Sequence, residues 1–358
     1  MKKISVKSPG RTCLFGDHQD YLGLPVIACA IDRYITLNAM ENSSSFFKIN
    51  LLDTKEKRDI SIHQEFENID REDHFMSALK VVQKYGCIPD KGYDIQITGN
   101  LPINAGVSSS SALIIAWIRF LLEAFGAGQE VTPVLVSRIA YEAEVLEHNS
   151  PGGLMDQYSI GIGNVLFIDT RDNASYEVIQ NTVQGLIVGE SGIKKETINT
   201  LGDLRGKALE AIKYVKGKKP DFDINQTLFE EYDEYEKYIP SALKPYFFAA
   251  LKNHSITLKA LEEFKKPYLD MSYLGELMNQ HHAILKDILK ITVPRIDNMV
   301  KNALEAGAYG VKIVGSGGGG SIIALSPKDK EQEVINAILK GEGKAAYVVN
   351  VDEGARIV

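Results

Sequence analysis

Residues 101–113 (LPINAGVSSSSAL) join small side chains to four consecutive serines, a composition that suits a loop holding a phosphate group. Residues 93–97 before the loop alternate apolar and polar side chains, which predicts a half-buried strand. Residues 112–125 after it are largely apolar without Pro or Gly, which predicts a buried helix. A helix N-terminus offers unpaired N–H groups and a positive dipole end, so an anion site is one interpretation. A serine cap on a buried helix is the other, and this stretch alone leaves both open.

The serine loop differs from the two common phosphate-binding patterns. The chain contains no Gly-x4-Gly-Lys-Ser/Thr sequence, and the loop lacks the Gly-x-Gly-x-x-Gly spacing of dinucleotide sites. Its hydroxyls would still add hydrogen bonds to a phosphate and a hard oxygen ligand for Mg2+. Any phosphate site here must therefore be of another type.

A second group of polar residues lies between glycines near the N-terminus. Its members are Arg11, Asp17, His18, Asp20 and Tyr21. We expect them in a loop, because a short strand leads into Pro9–Gly10 and residues 25–31 form an apolar strand. Carboxylates that converge on one ligand can each accept hydrogen bonds from two adjacent sugar hydroxyls. A solvated turn is the other interpretation of this segment.

Three further segments carry acidic residues or glycines. Asp156 follows a Pro-Gly-Gly turn and begins a new element, where a carboxylate is either a helix cap or a catalytic base. Residues 134–147 are predicted to be helical and carry three glutamates, most of which we expect at the surface. Residues 310–325 predict strand, glycine loop and strand, and their excess of glycine indicates that another backbone or a ligand approaches closely.

Length and composition limit the class of protein. The 358 residues favour two domains, and 44% hydrophobic with 24% charged residues is ordinary for a soluble globular chain. A net charge of −7 without a basic block argues against nucleic acid and anionic membranes as partners. The three cysteines form no zinc or disulfide pattern, and no apolar run reaches the ~20 residues of a membrane span. We expect a cytoplasmic protein, either a monomer or a homodimer.

Taken together, these segments resemble the GHMP kinase superfamily and, within it, the galactokinases. Residues 10–21 (GRTCLFGDHQDY) resemble the galactokinase signature Gly-Arg-Val-Asn-Leu-Ile-Gly-Glu-His-x-Asp-Tyr. Residues 102–112 resemble the ATP loop Pro-x-x-x-Gly-Leu-Ser-Ser-Ser-Ala, and residues 312–320 resemble the third motif Arg-Met-Thr-Gly-x-Gly-x-Gly-Gly. Residues 143–157 are similar to Ala-Glu…Gly-Ile-Met-Asp-Gln.

The resemblance implies an α+β fold of two domains with the site in the cleft between them. An N-terminal domain like domain 2 of ribosomal protein S5 would span residues 1–180, and a ferredoxin-like C-terminal domain would span residues 181–358. The implied reaction converts ATP and a sugar to ADP and the sugar 1-phosphate, with galactose as the leading substrate. The implied partners are thus ATP, Mg2+ and a small sugar.

Roles for single residues follow from the same resemblance. Asp156 would be the catalytic base that accepts the proton of the anomeric hydroxyl, and Arg11 beside it would keep that carboxylate ionised. The residues implied in sugar binding are Asp17, His18, Asp20 and Gly153. Those around the phosphates are Gly106, Val107, Ser108, Ser109, Ser110 and Ser111, and those of the third motif are Gly315, Gly317, Gly318 and Gly319. The metal ligands would be Ser110 and Glu144, although Glu142 and Glu147 lie close in sequence.

The chain departs from the galactokinase pattern at several positions. Asp17 stands where the signature has glutamate, Ser111 where the phosphate loop has alanine, and residues 312–314 read Lys-Ile-Val instead of Arg-Met-Thr. An ungapped alignment places Gly202 where galactokinases carry a tyrosine that touches the sugar. These changes leave a uronic acid, arabinose or an amino sugar open as substrate. A catalytically inactive sugar sensor and a kinase of mevalonate or homoserine are the alternatives from other classes.

Overall fold

The computed structural model describes residues 1–66, 69–70, 73–103, 105–171, 174–181, 183–194 and 198–358. Its strands are β1 Lys3–Phe15, β2 Val26–Glu41, β3 Phe46–Leu51, β4 Glu56–Ser61, β5 Tyr93–Gly99, β6 Val165–Asp169, β7 Ser175–Ile179, β8 Leu186–Glu190, β9 Gly310–Val314, β10 Ser321–Leu325, β11 Ala345–Val349 and β12 Arg356–Ile357. Its α-helices are α1 His74–Lys84, α2 Ser109–Phe125, α3 Pro133–Tyr141, α4 Met155–Ile162, α5 Ile198–Lys216, α6 Tyr232–Glu236, α7 Lys244–Phe264, α8 Met271–Ala283, α9 Pro294–Glu305 and α10 Glu331–Lys340. Within the described ranges, no helix has the length and apolarity that crossing a bilayer requires.

The first sheet forms the frame for the serine loop. Its strand order is β12-β1-β2-β5-β3-β4, with β6 paired to β2 and β7 paired to β6. Helix α2 packs against β1 and β2, and its Trp117 and Phe120 are fully buried among the rings of Phe47 and Tyr93. The predicted strand at residues 93–97 and the predicted buried helix at residues 112–125 are both confirmed. The serine loop therefore connects a central strand to a helix that the core holds in place.

The second sheet carries the glycine loop. It is antiparallel throughout, in the order β11-β8-β10-β9, and the glycine loop joins β9 to β10 as predicted. Strand β8 is the first of this sheet, so the change of sheet falls close to the domain boundary predicted at residue 180. The last strand, β12, returns to the first sheet and pairs with β1. The boundary itself stays a prediction.

Arg11 lies on a strand, so the loop predicted after Pro9–Gly10 begins only after Phe15, and it holds the other four polar residues of this group. Strand β1 continues through these two residues to Phe15, with shifts in its pairing to β2 at Pro9/Gly10 and at Cys13/Phe15. Because proline has no N–H to give to a ladder, it is tolerated at such an irregularity. A Cβ at Gly10 would lie 2.9 Å from the carbonyl oxygen of Val107, so glycine lets the serine loop approach β1 closely. Arg11 is thus fixed by a sheet rather than by a loop.

Candidate active site

A cavity opens where the end of β1, the start of α2, the start of α4 and the glycine loop meet. The sequence-predicted residues that line it are Arg11, Asp17, His18, Asp20, Ser110, Glu144, Gly153, Asp156 and Gly315. They come from four segments that are far apart in the chain. The fold therefore brings together the charged side chains that the sequence singled out, and of the four serines of the loop Ser110 lines the cavity.

Arg11 and Asp156 form an ion pair at the centre of this cavity. Nε of Arg11 donates to Oδ1 of Asp156 at 2.7 Å, and Nη1 donates to the carbonyl oxygen of Gly106 at 2.6 Å. The side chain of Arg11 is 3% exposed and that of Asp156 is 27% exposed. Burial alone would lower the pKa of Arg11, but the adjacent charge of Asp156 outweighs it and raises the pKa. The guanidinium thus joins the carboxylate to the serine loop.

Ser108 links the start of α2 to Asp156. Its backbone is left-handed at φ 59°, and it stands at the N-cap of α2 without making a side-chain cap. The hydroxyl instead donates to Oδ2 of Asp156. A non-glycine residue held in this conformation is uncommon and occurs often at functional sites. Ser108 therefore holds the N-cap position without capping the helix through its side chain. The N–H groups of the first turn lack intrahelical partners.

Glu144 lies in a π-helical turn, Glu142–Leu146, which follows α3 and which the sequence did not predict. Its Oε1 accepts a hydrogen bond from Ser111 Oγ at 3.0 Å, and its Oε2 accepts one from Gln157 Nε2 at 2.7 Å. The neighbouring glutamates point elsewhere: Glu142 bonds to Tyr85, and Glu147 pairs with Lys80 and Lys84. Of the three glutamates on this segment, Glu144 is the one that faces the cavity.

The residues around Glu144 fit a magnesium ion. The carboxylate of Glu144 and the hydroxyl of Ser110 line the same cavity and are hard oxygen donors. The described residues contain no cluster of three His, Cys, Asp or Glu side chains that could hold a metal by themselves. Mg2+ often takes only one or two protein oxygens and completes its shell with phosphates and water. The donor set therefore suits a metal that arrives with a nucleotide.

We expect Glu144→Gln to raise the Mg2+ concentration needed for half-maximal turnover by about tenfold, because an amide oxygen carries no charge for a hard cation. The measurement is turnover against Mg2+ at fixed nucleotide concentration. Glu142→Gln is the matched control, since Glu142 belongs to the same turn but bonds to Tyr85. An unchanged titration for Glu144→Gln would remove this residue from the metal site.

His18 and Asp20 line the other side of the cavity. Nδ1 of His18 lies 3.0 Å from the hydroxyl of Tyr21, while its buried Nε2 has no hydrogen-bond partner among the described residues. Burial lowers the pKa of His18 to about 4, so the ring is neutral at pH 7. Burial and the nearby charge of Asp156 raise the pKa of Asp20 to about 6. A neutral imidazole and a carboxylate ionised at neutral pH suit the hydroxyl groups of a polyol.

Gly153 makes room for the Asp20 carboxylate. A Cβ at this position would lie 2.2 Å from Oδ2 of Asp20, closer than real Cβ atoms approach. We expect Gly153→Ala to displace Asp20 and to raise the KM of the polyol substrate at least tenfold, with little change in the KM of the nucleotide. Initial-rate kinetics with each substrate varied in turn measures the effect. Gly206→Ala is the control, because a Cβ there meets nothing within 4 Å.

The structure adds detail to two sequence-based assignments. Leu201 lines the cavity, and its neighbour Gly202 is not among the lining residues. In the glycine loop, Gly315 faces the cavity, whereas a Cβ at Gly317 would strike Ile291 and one at Gly319 would strike Ile193. At these two positions the loop packs closely against Ile291 and Ile193. The remaining third-motif residue, Gly318, also bonds there, through its N–H to the carbonyl oxygen of Ile291.

Three family profiles match the chain, and two of them describe the two halves of one family. The profile described as "GHMP kinases N terminal domain" matches residues 73–164, and "GHMP kinases C terminal" matches residues 257–345. A third, "Galactokinase galactose-binding signature", matches residues 2–39, which include Arg11 and the polar residues up to Tyr21. The chain belongs to the GHMP kinases, so the cavity with its phosphate loop is the site of a kinase.

Proteins with similar sequences point to particular members of this family. Galactokinase of Pyrococcus furiosus is 28% identical over 98% of this chain and 97% of its own length. Galactokinase of Thermotoga neapolitana is 28% identical over 96% of this chain and 94% of its own. A mevalonate kinase of Thermococcus sibiricus is 27% identical over 99% of this chain and 98% of its own.

Solved structures support the same fold. Lactococcus lactis galactokinase, complexed with galactose, superposes with a TM-score of 0.88 at 21% identity and covers 99% of this chain and 95% of its own. A mevalonate kinase superposes with a TM-score of 0.71 at 21% identity, over 97% of this chain and 98% of its own. The predicted α+β fold of the GHMP kinases is therefore confirmed.

Proposed function

We propose that this chain is a galactokinase, which transfers the γ-phosphoryl group of ATP to the anomeric hydroxyl of galactose. The observation that supports this most is the ion pair of Arg11 and Asp156 between the serine loop and the side chains of His18 and Asp20. Phosphates on the loop and a sugar beside His18 would meet at the Asp156 carboxylate. This is the arrangement that an in-line transfer between the two needs.

Each group then has a role in the transfer. Asp156 accepts the proton of the attacking hydroxyl, and Arg11 orients the carboxylate and stabilises charge on the transferring phosphoryl group. The unpaired N–H groups at the start of α2 bind the phosphate oxygens. Mg2+, bound by Ser110 and Glu144, would neutralise phosphate charge when present. In a loose transition state, positioning and electrostatic stabilisation of this kind provide most of the rate enhancement.

The polar residues beside Asp156 favour a sugar over mevalonate. The buried Nε2 of His18 lacks a partner among the described residues, and Asp20 presents a carboxylate to the same space. A sugar offers an array of hydroxyls to satisfy both groups, whereas mevalonate offers few. The match of residues 2–39 to the galactose-binding signature supports galactose in particular. Leu201 contributes an apolar side chain to the lining of the cavity.

ADP release from the purified protein, with Mg-ATP and a panel of free sugars, tests the proposal. We expect turnover with galactose and formation of galactose 1-phosphate, identified by phosphorus NMR. Arabinose, galacturonic acid and galactosamine test the other sugars, and mevalonate and homoserine test the other GHMP substrates. Turnover with mevalonate alone would refute a sugar kinase. Thermal stabilisation by galactose without any turnover would instead make the protein a sugar sensor.

A further inference from the structure

Lys312, on β9 of the second sheet, forms a buried ion pair with Asp17 at the end of β1. Its Nζ lies 2.5 Å from Oδ2 of Asp17 and 2.9 Å from the carbonyl oxygen of Cys13. The lysine side chain is 0% exposed and the aspartate side chain is 1% exposed. Burying both charges is costly unless each is paired and hydrogen-bonded, so this contact needs an explanation.

The ionisable groups around the pair determine whether Asp17 is charged. The charge of Lys312 overcomes the effect of burial and lowers the pKa of Asp17 to about 2. Burial, together with the charge of Lys312, lowers the pKa of His281 to about 3, and both His281 and His18 are neutral at pH 7. Burial raises the pKa of the Cys13 thiol, which is also neutral. The Asp17 carboxylate is therefore ionised across the range in which a kinase is assayed.

The other oxygen of Asp17 binds the start of the glycine loop. Oδ1 accepts a hydrogen bond from the backbone N–H of Gly315 at 2.8 Å. Gly315 lies against the serine loop, since a Cβ there would be 3.5 Å from the carbonyl oxygen of Gly106 and 3.9 Å from Nη2 of Arg11. Gly106 also accepts the hydrogen bond from Arg11 Nη1. A continuous set of contacts thus runs from Lys312 through Asp17 to the catalytic ion pair.

These contacts change the role expected for Asp17. The sequence resemblance places its side chain on the sugar, but its oxygens accept hydrogen bonds from an ammonium group and a backbone amide, and only 1% of the side chain is exposed. Asp156 also accepts two hydrogen bonds, but 27% of its side chain is exposed. Aspartate is one methylene shorter than the glutamate of the galactokinase signature. The same chain carries lysine where the third motif has arginine, so the two departures from the pattern meet in one contact.

We propose that Lys312 and Asp17 are a positioning pair, which clamps the sugar-binding segment after β1 to the glycine loop and does not itself bind the sugar. The proposal rests on the proposed sugar kinase activity for its kinetic consequences. It assigns sugar contact in this segment to His18, whose Nε2 has no hydrogen-bond partner among the described residues, and to Asp20, which lines the same cavity. Asp17 and Lys312 then act on the reaction through Gly315, Gly106 and Arg11.

Kinetics with three sugars distinguish a positioning role for Asp17 from direct binding of the sugar. We expect Lys312→Met and Asp17→Asn each to lower kcat/KM at least tenfold, and by the same factor for galactose, 2-deoxygalactose and 6-deoxygalactose. If Asp17 bound a hydroxyl, the loss would be large for galactose and absent for the analogue that lacks that hydroxyl, which would overturn the proposal. Lys312→Arg keeps the charge and should retain more activity than Lys312→Met. Lys301→Met, on an exposed face of α9, is the control.

Hydrogen exchange supplies a readout that needs no substrate. In both variants we expect faster exchange in residues 10–23 and in residues 310–325 than in the wild type and in Lys301→Met. Unchanged exchange in either segment would refute the clamp, whatever the activity. If Lys312→Met does not fold, the double variant Asp17→Asn/Lys312→Met buries no charge and should show the same faster exchange. A wild-type protein inactive on every sugar would refute the proposed function while leaving the exchange test intact.

Discussion

Asp156→Asn should lower kcat by about three orders of magnitude while nucleotide binding is retained. General-base catalysis contributes about 10²–10⁴-fold, and an amide cannot accept the proton of the attacking hydroxyl. The substitution should fold, because the amide oxygen can accept the hydrogen bond from Arg11 Nε and the hydroxyl of Ser108 can rotate to accept one from the amide nitrogen. ADP release at saturating galactose and ATP measures the loss, and calorimetric titration with ATP measures the binding.

Asp329→Asn is the matched control for this experiment, since Asp329 is exposed in a short 3-10 helix between β10 and α10 and does not line the cavity. Its kcat should equal that of the wild type. A kcat above one tenth of the wild-type value in Asp156→Asn would show that the carboxylate is not the base, and that the transfer depends on orientation by Arg11 and the serine loop alone. Lost ATP binding would instead assign Asp156 to the nucleotide.

Local sequence patterns were sufficient to predict the strand and the helix that flank the serine loop. Alternation over residues 93–97 and the apolar run over residues 112–125 indicated β5 and α2, because each pattern reports which face of an element is buried. The glycine excess after β9 indicated close backbone approach, and the loop does pack against Gly106 and Ala105. Such signals are local, so they place elements correctly without saying which side chains meet.

The contacts that define the site depend on tertiary structure instead. Lys312 and Asp17 are 295 residues apart, and no local pattern encodes their pairing. The π-helical turn that aims Glu144 at the cavity, and the left-handed backbone of Ser108, also lack a sequence signature, because both are imposed by packing. One signal was available: two departures from the galactokinase pattern, at Asp17 and Lys312, form a complementary pair of charges.

Arg11→Lys should lower kcat by about 10²–10³-fold although the positive charge is kept. The guanidinium makes two directed hydrogen bonds, from Nε to Asp156 and from Nη1 to the carbonyl oxygen of Gly106. A lysine ammonium is a shorter point donor and cannot reproduce this planar arrangement, so either the carboxylate or the serine loop loses its partner. Removing one such donor from a preorganised site typically costs about 10²–10³ in kcat.

The kinetic pattern of this variant distinguishes catalysis from stability. Because the lost donor serves the loop as well as the base, the KM of ATP should rise together with the fall in kcat, while the KM of galactose changes little. Arg171→Lys is the control, since that arginine pairs with Asp169 at the surface and its side chain is 57% exposed. If Arg11→Lys kept wild-type kcat and ATP KM, charge alone would be sufficient at this position. The two hydrogen bonds of Arg11, to Asp156 and to Gly106, would then be structural and would play no part in the transfer.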